Sequence, residues 1–216
     1  MIKSLNKDRI IWFKGELIKA KEAKVHVLSP TAQYGLNVFE GLRGYWSEEH
    51  NDLFIFRLDE HLKRLQRSCQ ILSITSPYNF SEITDAIIKV LHANTFRCDV
   101  SIRVTLFVDG EGGWSSSNPV NMFVAPIAKP RSDINLENGK KGMISSFERI
   151  NDHSMPPRAK VGANYINSRY AYLEAQSLSF DFPIMLDRMG KVSESSGSCL
   201  MMVRDGVLVT PPNSAS

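Results

Sequence analysis

The sequence predicts an α/β protein in two lobes: an α+β small lobe over residues 1–126 and a strand-rich, incomplete large lobe over 142–216. Three observations carry this reading. Extended apolar stretches alternate with amphipathic stripes through the first half. A polar segment holding Lys129-Pro130 and Asn138-Gly139 separates the halves and reads as an interdomain linker over 127–141. Beyond it, short strands and turn signals dominate, and no helix or strand closes the lobe.

Each element has its local reason. Residues 9–13 and 16–18 read as two strands around a Lys14-Gly15 turn. Residues 24–28 are a further extended candidate, ended by Ser29-Pro30. Residues 52–56 form an apolar strand. Leu58, Leu62, Leu65, Cys69 and Leu72 then recur at steps of four, three, four and three, one stripe at the helical period. Lys63, Arg64, Gln66, Arg67 and Gln70 lie off that stripe. Ser81 reads as the N-cap of a second helix, with Glu82 and Asp85 where the helix dipole favours acids. Residues 99–109 alternate strictly, with Val100, Ile102, Val104, Leu106 and Val108 on one face. Residues 120–125 are a strand. In the second lobe 142–147 are extended and 163–178 helical, and 182–186 with 192–193 are strands about a turn. Residues 199–203 and 207–209 flank Arg204-Asp205-Gly206, a hairpin signal.

Composition excludes several functions. Lys plus Arg number 26 against 23 Asp plus Glu, a net charge of +3 without the concentrated basic face of a nucleic-acid binder. No apolar run approaches the roughly 18 residues that span a bilayer, and the charges of 1–12 interrupt any secretory core. Three widely spaced cysteines among 216 residues fit a reduced, cytoplasmic protein. The five histidines show no ligand spacing, so no metal is expected. There is no G-x-S-x-G elbow, no phosphate loop of the Walker type and no H-E-x-x-H.

A distributed pattern remains. Lys160 lies in Ala159-Lys160-Val161-Gly162-Ala163-Asn164-Tyr165, a loop entering a helix, with Ser168 and Glu174-Ala175 beyond. Glu194 follows Val192-Ser193 after Leu186-Asp187 and Gly190, and Asp205-Gly206-Val207-Leu208 precedes Thr210-Pro211-Pro212. The first half holds His26-Val27-Leu28-Ser29, Tyr34-Gly35, Val38-Phe39-Glu40-Gly41-Leu42-Arg43, and Phe56-Arg57 with His61 and Arg64-Leu65. As an ordered set over roughly 11–212, these resemble the class IV pyridoxal-phosphate aminotransferases, and among them most closely the branched-chain amino-acid aminotransferases. The resemblance implies a fold-type IV architecture and amino transfer between a branched-chain amino acid and 2-oxoglutarate. D-amino-acid transaminase, aminodeoxychorismate lyase and a truncated non-catalytic homologue are the alternative readings.

The resemblance also implies roles. Lys160 would hold pyridoxal phosphate as a Schiff base and shuttle the substrate proton. Glu194 would partner the ring nitrogen, Tyr165 the ring oxygen and Arg57 the phosphate. Tyr34, Phe39, Arg43 and Arg103 would line the substrate site. From spacing alone, Tyr34 and Phe39 read equally as core, Tyr165 as a packed helix aromatic, Glu194 as an exposed strand-end carboxylate, and Arg57 and Arg103 as surface arginines. Family members are usually homodimers, expected here if the large lobe is complete. Two departures stand out. The family's Glu-Gly-x-Gly-x-Asn is Glu194-Ser195-Ser196-Gly197-Ser198-Cys199 here, and Ser101 stands where a tyrosine is usual. The family also continues after Thr-Pro-Pro with roughly a further half-domain.

Overall fold

The computed structural model describes residues 9–131 and 138–212. The chain divides into two units, Met1–Ser132 with Ala159–Val161, and Asp133–Arg158 with Gly162–Ser216.

The first unit is an antiparallel sheet with helices on one face. β1 (Ile10–Phe13) and β2 (Glu16–Lys19) form a hairpin, and α1 (Pro30–Tyr34) is a short helix capped by the Ser29 hydroxyl. β3 (Asn37–Ser47) and β4 (Asp52–Ile55) lead into α2 (Leu58–Ile71) and α3 (Phe80–Asn94), and β5 (Val100–Val108) and β6 (Val120–Ala128) complete the sheet. Strand order is β2-β1-β6-β5-β3-β4. The apolar stripe of α2 buries Leu62, Leu65 and Cys69.

Register decides which face each side chain takes. Val38 pairs with Leu106, Glu40 with Val104 and Leu42 with Ile102. Opposed residues share a face, so Glu40 joins these buried apolar residues on the face that α2 covers. Phe39, opposite Thr105, and Arg103, opposite Gly41, lie on the other face. Gly44 is required where β3 meets β5, because a Cβ there would sit 2.8 Å from Val100 Cγ2.

Several expectations change. Residues 24–28 are not a strand: His26 turns the chain, its carbonyl accepting from Ser29 N at 3.0 Å. The longest strand, β3, is not marked by the sequence, because Glu40, Arg43 and two glycines break its apolar alternation. The cap of α3 is Asn79 rather than Ser81. Its side chain accepts from Glu82 N at 3.0 Å, while Glu82 Oε2 accepts from Asn79 N at 2.7 Å, a reciprocal capping box. β6 extends through Ala128, into the expected linker, of which 132–137 lie outside the described residues.

The second unit places β7 (Gly142–Ile144) parallel to β8 (Phe182–Ile184), with α4 (Tyr165–Ser177) as their crossover. Glu174 of α4 accepts from the Ser145 hydroxyl at 2.5 Å and from Ser146 N, fixing the end of β7. β9 (Met202–Arg204) and β10 (Val207–Val209) form the expected hairpin, with positive φ at both Asp205 and Gly206. Among the described residues, no helix is long and apolar enough to cross a membrane.

Replacing Asn79 with Ala should remove the cap of α3 and lower unfolding stability by about 1 kcal/mol, measured by urea denaturation.

Candidate active site

Lys160 belongs to the first unit by its contacts. The segment Ala159–Val161 lies along the edge of β3, with Val161 bridged to Val38 and Phe39 N donating to the Lys160 carbonyl at 3.0 Å. Lys160 N donates to the Ser68 hydroxyl of α2, also at 3.0 Å. Ser68 is fully buried, and Ala159 and Val161 are buried on either side of the lysine. The Lys160 backbone is therefore bonded at both its polar groups. The side chain shares the face of Phe39, its Nζ 5.1 Å from the ring centroid. Arg103 places its guanidinium carbon 4.2 Å from the same centroid. One buried aromatic ring thus collects two cations, a favourable use of its electron-rich face and an arrangement suited to an anionic ligand.

On the helix face, Glu40 is completely buried and would be costly as an isolated charge. Arg64 grips it through Nε and one terminal nitrogen, both at 2.6 Å, and His61 Nδ1 lies 2.8 Å from Oε2. Glu40 follows Phe39, which bonds Lys160, and Arg64 lies one helical turn before Ser68. The half-exposed guanidinium of Arg64 is thereby fixed against β3 on the helix-covered face.

Two further expected site residues are held in local polar contacts. Arg57 stands at the exposed N-cap of α2 with φ +51°, its guanidinium paired with Glu60 at 2.8 Å. Arg43 lies on the Phe39 face of β3 and joins a polar cluster. It donates to the Lys129 carbonyl at 2.9 Å and lies 3.6 Å from Asp99, which also pairs with Arg131 at 2.9 Å. Burial opposes the charge of Asp99, but the Trp46 amide, Arg131 and Arg43 outweigh it and hold the carboxyl below its usual 3.8. Tyr34 is 43% exposed at the end of α1, so it is not core; Phe39 is.

In the second unit Glu194 is held by the strand-like pairing of its backbone. Its carbonyl accepts from Met185 N at 2.9 Å, and it bridges to Cys199. Its carboxylate lies 2.5 Å from Arg149 Nε. Arg149 is mostly buried, and that nitrogen has no aligned hydrogen bond among the described residues. Ser195, in place of the usual glycine, is absent from the residues with positive φ, so its side chain imposes no backbone strain. Tyr165 opens α4 and is 39% exposed.

The sequence does not mark Glu40, Ser68 or Arg149 as functional. Glu40 has a signal, its place in the stretch Val38-Phe39-Glu40-Gly41-Leu42-Arg43. Ser68 lies beside the apolar stripe and carries no such mark. Arg149 is silent until its partner is known.

The first unit offers an amine on a bonded backbone, and the second offers a carboxylate backed by a cation, donor types that suit pyridoxal phosphate. Among the described residues, no cluster could hold a metal ion. Comparisons with known proteins identify the family. The family Amino-transferase class IV matches residues 37–216. The branched-chain-amino-acid aminotransferase of Escherichia coli (strain K12) is 35% identical over 213 residues, covering 95% of this chain and 67% of that one. A branched-chain aminotransferase from Thermoproteus uzoniensis, solved with norvaline, superposes with a TM-score of 0.87 at 36% identity, over 96% of this chain and 69% of that one. The branched-chain amino acid aminotransferase from Thermobaculum terrenum, solved in its PLP-form, gives 0.87 at 33% identity, over 97% and 68%. The chain therefore spans about two thirds of the length of these relatives.

Asp99→Asn should lower the melting temperature at pH 7 by a few degrees, the scale of about 1 kcal/mol in a domain of this size. Because the folded pKa is depressed, the stabilisation is present above 3.8 and is lost as pH falls through the folded value. The gap between parent and variant should therefore close in acid, followed by thermal denaturation across the pH range.

Proposed function

The chain belongs to the class IV aminotransferases, and we propose that it transfers an amino group between a branched-chain amino acid and 2-oxoglutarate with pyridoxal phosphate held on Lys160. The observation that carries this is the anchoring of Lys160: a buried, doubly bonded backbone presenting its amine beside Arg103 on the Phe39 ring. The relatives described above are branched-chain enzymes, which favours this substrate over the D-amino-acid and lyase readings.

Bound pyridoxal phosphate supplies an aldehyde that accepts the amino group and a ring that withdraws electrons from the substrate Cα. The chain's own residues do the rest. The Lys160 amine takes the proton from the substrate Cα and returns it during transfer. Glu194 accepts the hydrogen bond of the protonated ring nitrogen, with Arg149 steadying its carboxylate. Tyr165 donates its hydroxyl to the ring oxygen. Arg57 pairs with the phosphate, its exposed guanidinium exchanging the surface partner Glu60 for the anion. Arg103 binds the substrate carboxylate, while Phe39 and the exposed Tyr34 offer apolar surface to a branched side chain. A cytoplasmic homodimer completes the reading, consistent with the free thiols of Cys69, Cys98 and Cys199.

Purified protein given pyridoxal phosphate, L-leucine and 2-oxoglutarate should produce glutamate, and D-alanine should not replace the donor. Lys160→Ala should abolish turnover; retained turnover would refute the assignment. Arg57→Ala should weaken pyridoxal phosphate retention by about tenfold or more, the scale of one charge-assisted hydrogen bond. Unaltered retention in equilibrium dialysis would refute the role of Arg57.

A further inference from the structure

We propose that Ser68 is a positioning residue for Lys160: its buried hydroxyl, reaching from α2, fixes the backbone from which the reactive amine projects. The functional half of this inference rests on the reading of Lys160 given above. Its structural half stands on geometry alone.

Lys160 sits in an irregular stretch between β7 and α4, where no helix or sheet ladder holds the backbone. Such a segment is held by the bonds it finds. At the Lys160 backbone these are a carbonyl bonded to Phe39 N and an amide bonded to Ser68 Oγ, both at 3.0 Å. The first is backbone to backbone, along the edge of β3. The second comes from a side chain, and it draws the segment onto α2 as well as β3. Ser68 is wholly enclosed, so its oxygen does not exchange this partner for bulk water. Deleting the oxygen leaves a buried N–H without its acceptor, a state that favours opening of the segment.

A lysine side chain has four rotatable bonds, and where its amine can stand is set by where its Cα is held. Reacting groups are sensitive to displacements of about 1 Å, which can cost as much as about 10²-fold in rate. A hydroxyl that touches neither cofactor nor substrate therefore governs the amine through the backbone. Cys69 provides a control one residue along the same helix. It is also buried, but its side chain lines an apolar cavity with Leu65, Ile83 and Leu106.

The test uses two readouts on the whole chain. The first is amide hydrogen exchange at Lys160 without cofactor. The second is the rate at which Lys160 is modified by pyridoxal phosphate, trapped with borohydride and mapped by mass spectrometry. Ser68→Ala should speed exchange at Lys160 by about tenfold, as expected for loss of one protecting bond. It should slow modification by a similar factor, while exposed lysines such as Lys63 react as before. Ser68→Cys, close in volume and a weaker acceptor, should fall between parent and Ala. Cys69→Ala should lower stability and leave both Lys160 readouts unchanged.

Unchanged exchange in Ser68→Ala overturns the inference. So does faster exchange with an unaltered modification rate, which reduces Ser68 to a structural contact. A Lys160 that is never modified in the parent protein overturns the function proposed for the lysine together with this inference. That failure is recognised without any variant.

Discussion

The hydrogen bond from Phe39 N to the Lys160 carbonyl is the interaction on which the placement of Lys160 depends. Along residues 37–43, β3 has β5 on one side, and β4 joins its other side only from Gly44 onward. That leaves an edge with unpaired backbone groups beside Val38 and Phe39, and an open strand edge invites another strand. The segment Ala159–Val161 fills it for the length of a single bridge. The lysine thereby acquires a rigid support that the surrounding loop could not provide.

Both faces of β3 contribute to what surrounds this bond. The period of two sends Phe39 to one side, where its ring meets Lys160 and Arg103, and Glu40 to the other, where it is sealed under α2. Glu40 is tolerated there because Arg64 neutralises it and His61 shares its hydrogen bonding. Removing either partner of such a buried pair leaves an uncompensated charge, so the pair constrains α2 against β3. The same helix carries Ser68, and the position of α2 is thus coupled to the position of the lysine.

Arg43 and Arg57 are both engaged in local contacts. Both lie in stretches that resemble the family, and both are arginines of the type that binds anions. Arg43 projects from the face opposite α2, but its guanidinium is consumed by Asp99 and the Lys129 carbonyl, where it helps close the end of β6. Arg57 caps a helix in a left-handed conformation and points toward Glu60. Arg64 is legible as an off-stripe polar residue of α2, yet its partner is distant in sequence and its role cannot be read from the helix alone.

The sequence by itself determined the amphipathic stripes of α2 and α3, the alternation of β5, the hairpin at Asp205-Gly206 and the ordered motif set around Lys160 and Glu194. These are local patterns, set by the helical and strand periods and by which residues accept positive φ. Only the tertiary structure decided that β3 is the longest strand of the sheet, that Glu40 is buried with Arg64, and that Ala159–Val161 joins the first unit. It also decided that Ser68 bonds Lys160 and that Arg149 meets Glu194. These pairings join residues from 24 to 123 positions apart. Propensity and periodicity carry no information about such pairs, because the partner that satisfies a buried polar group is chosen by the packing of the sheet and helices.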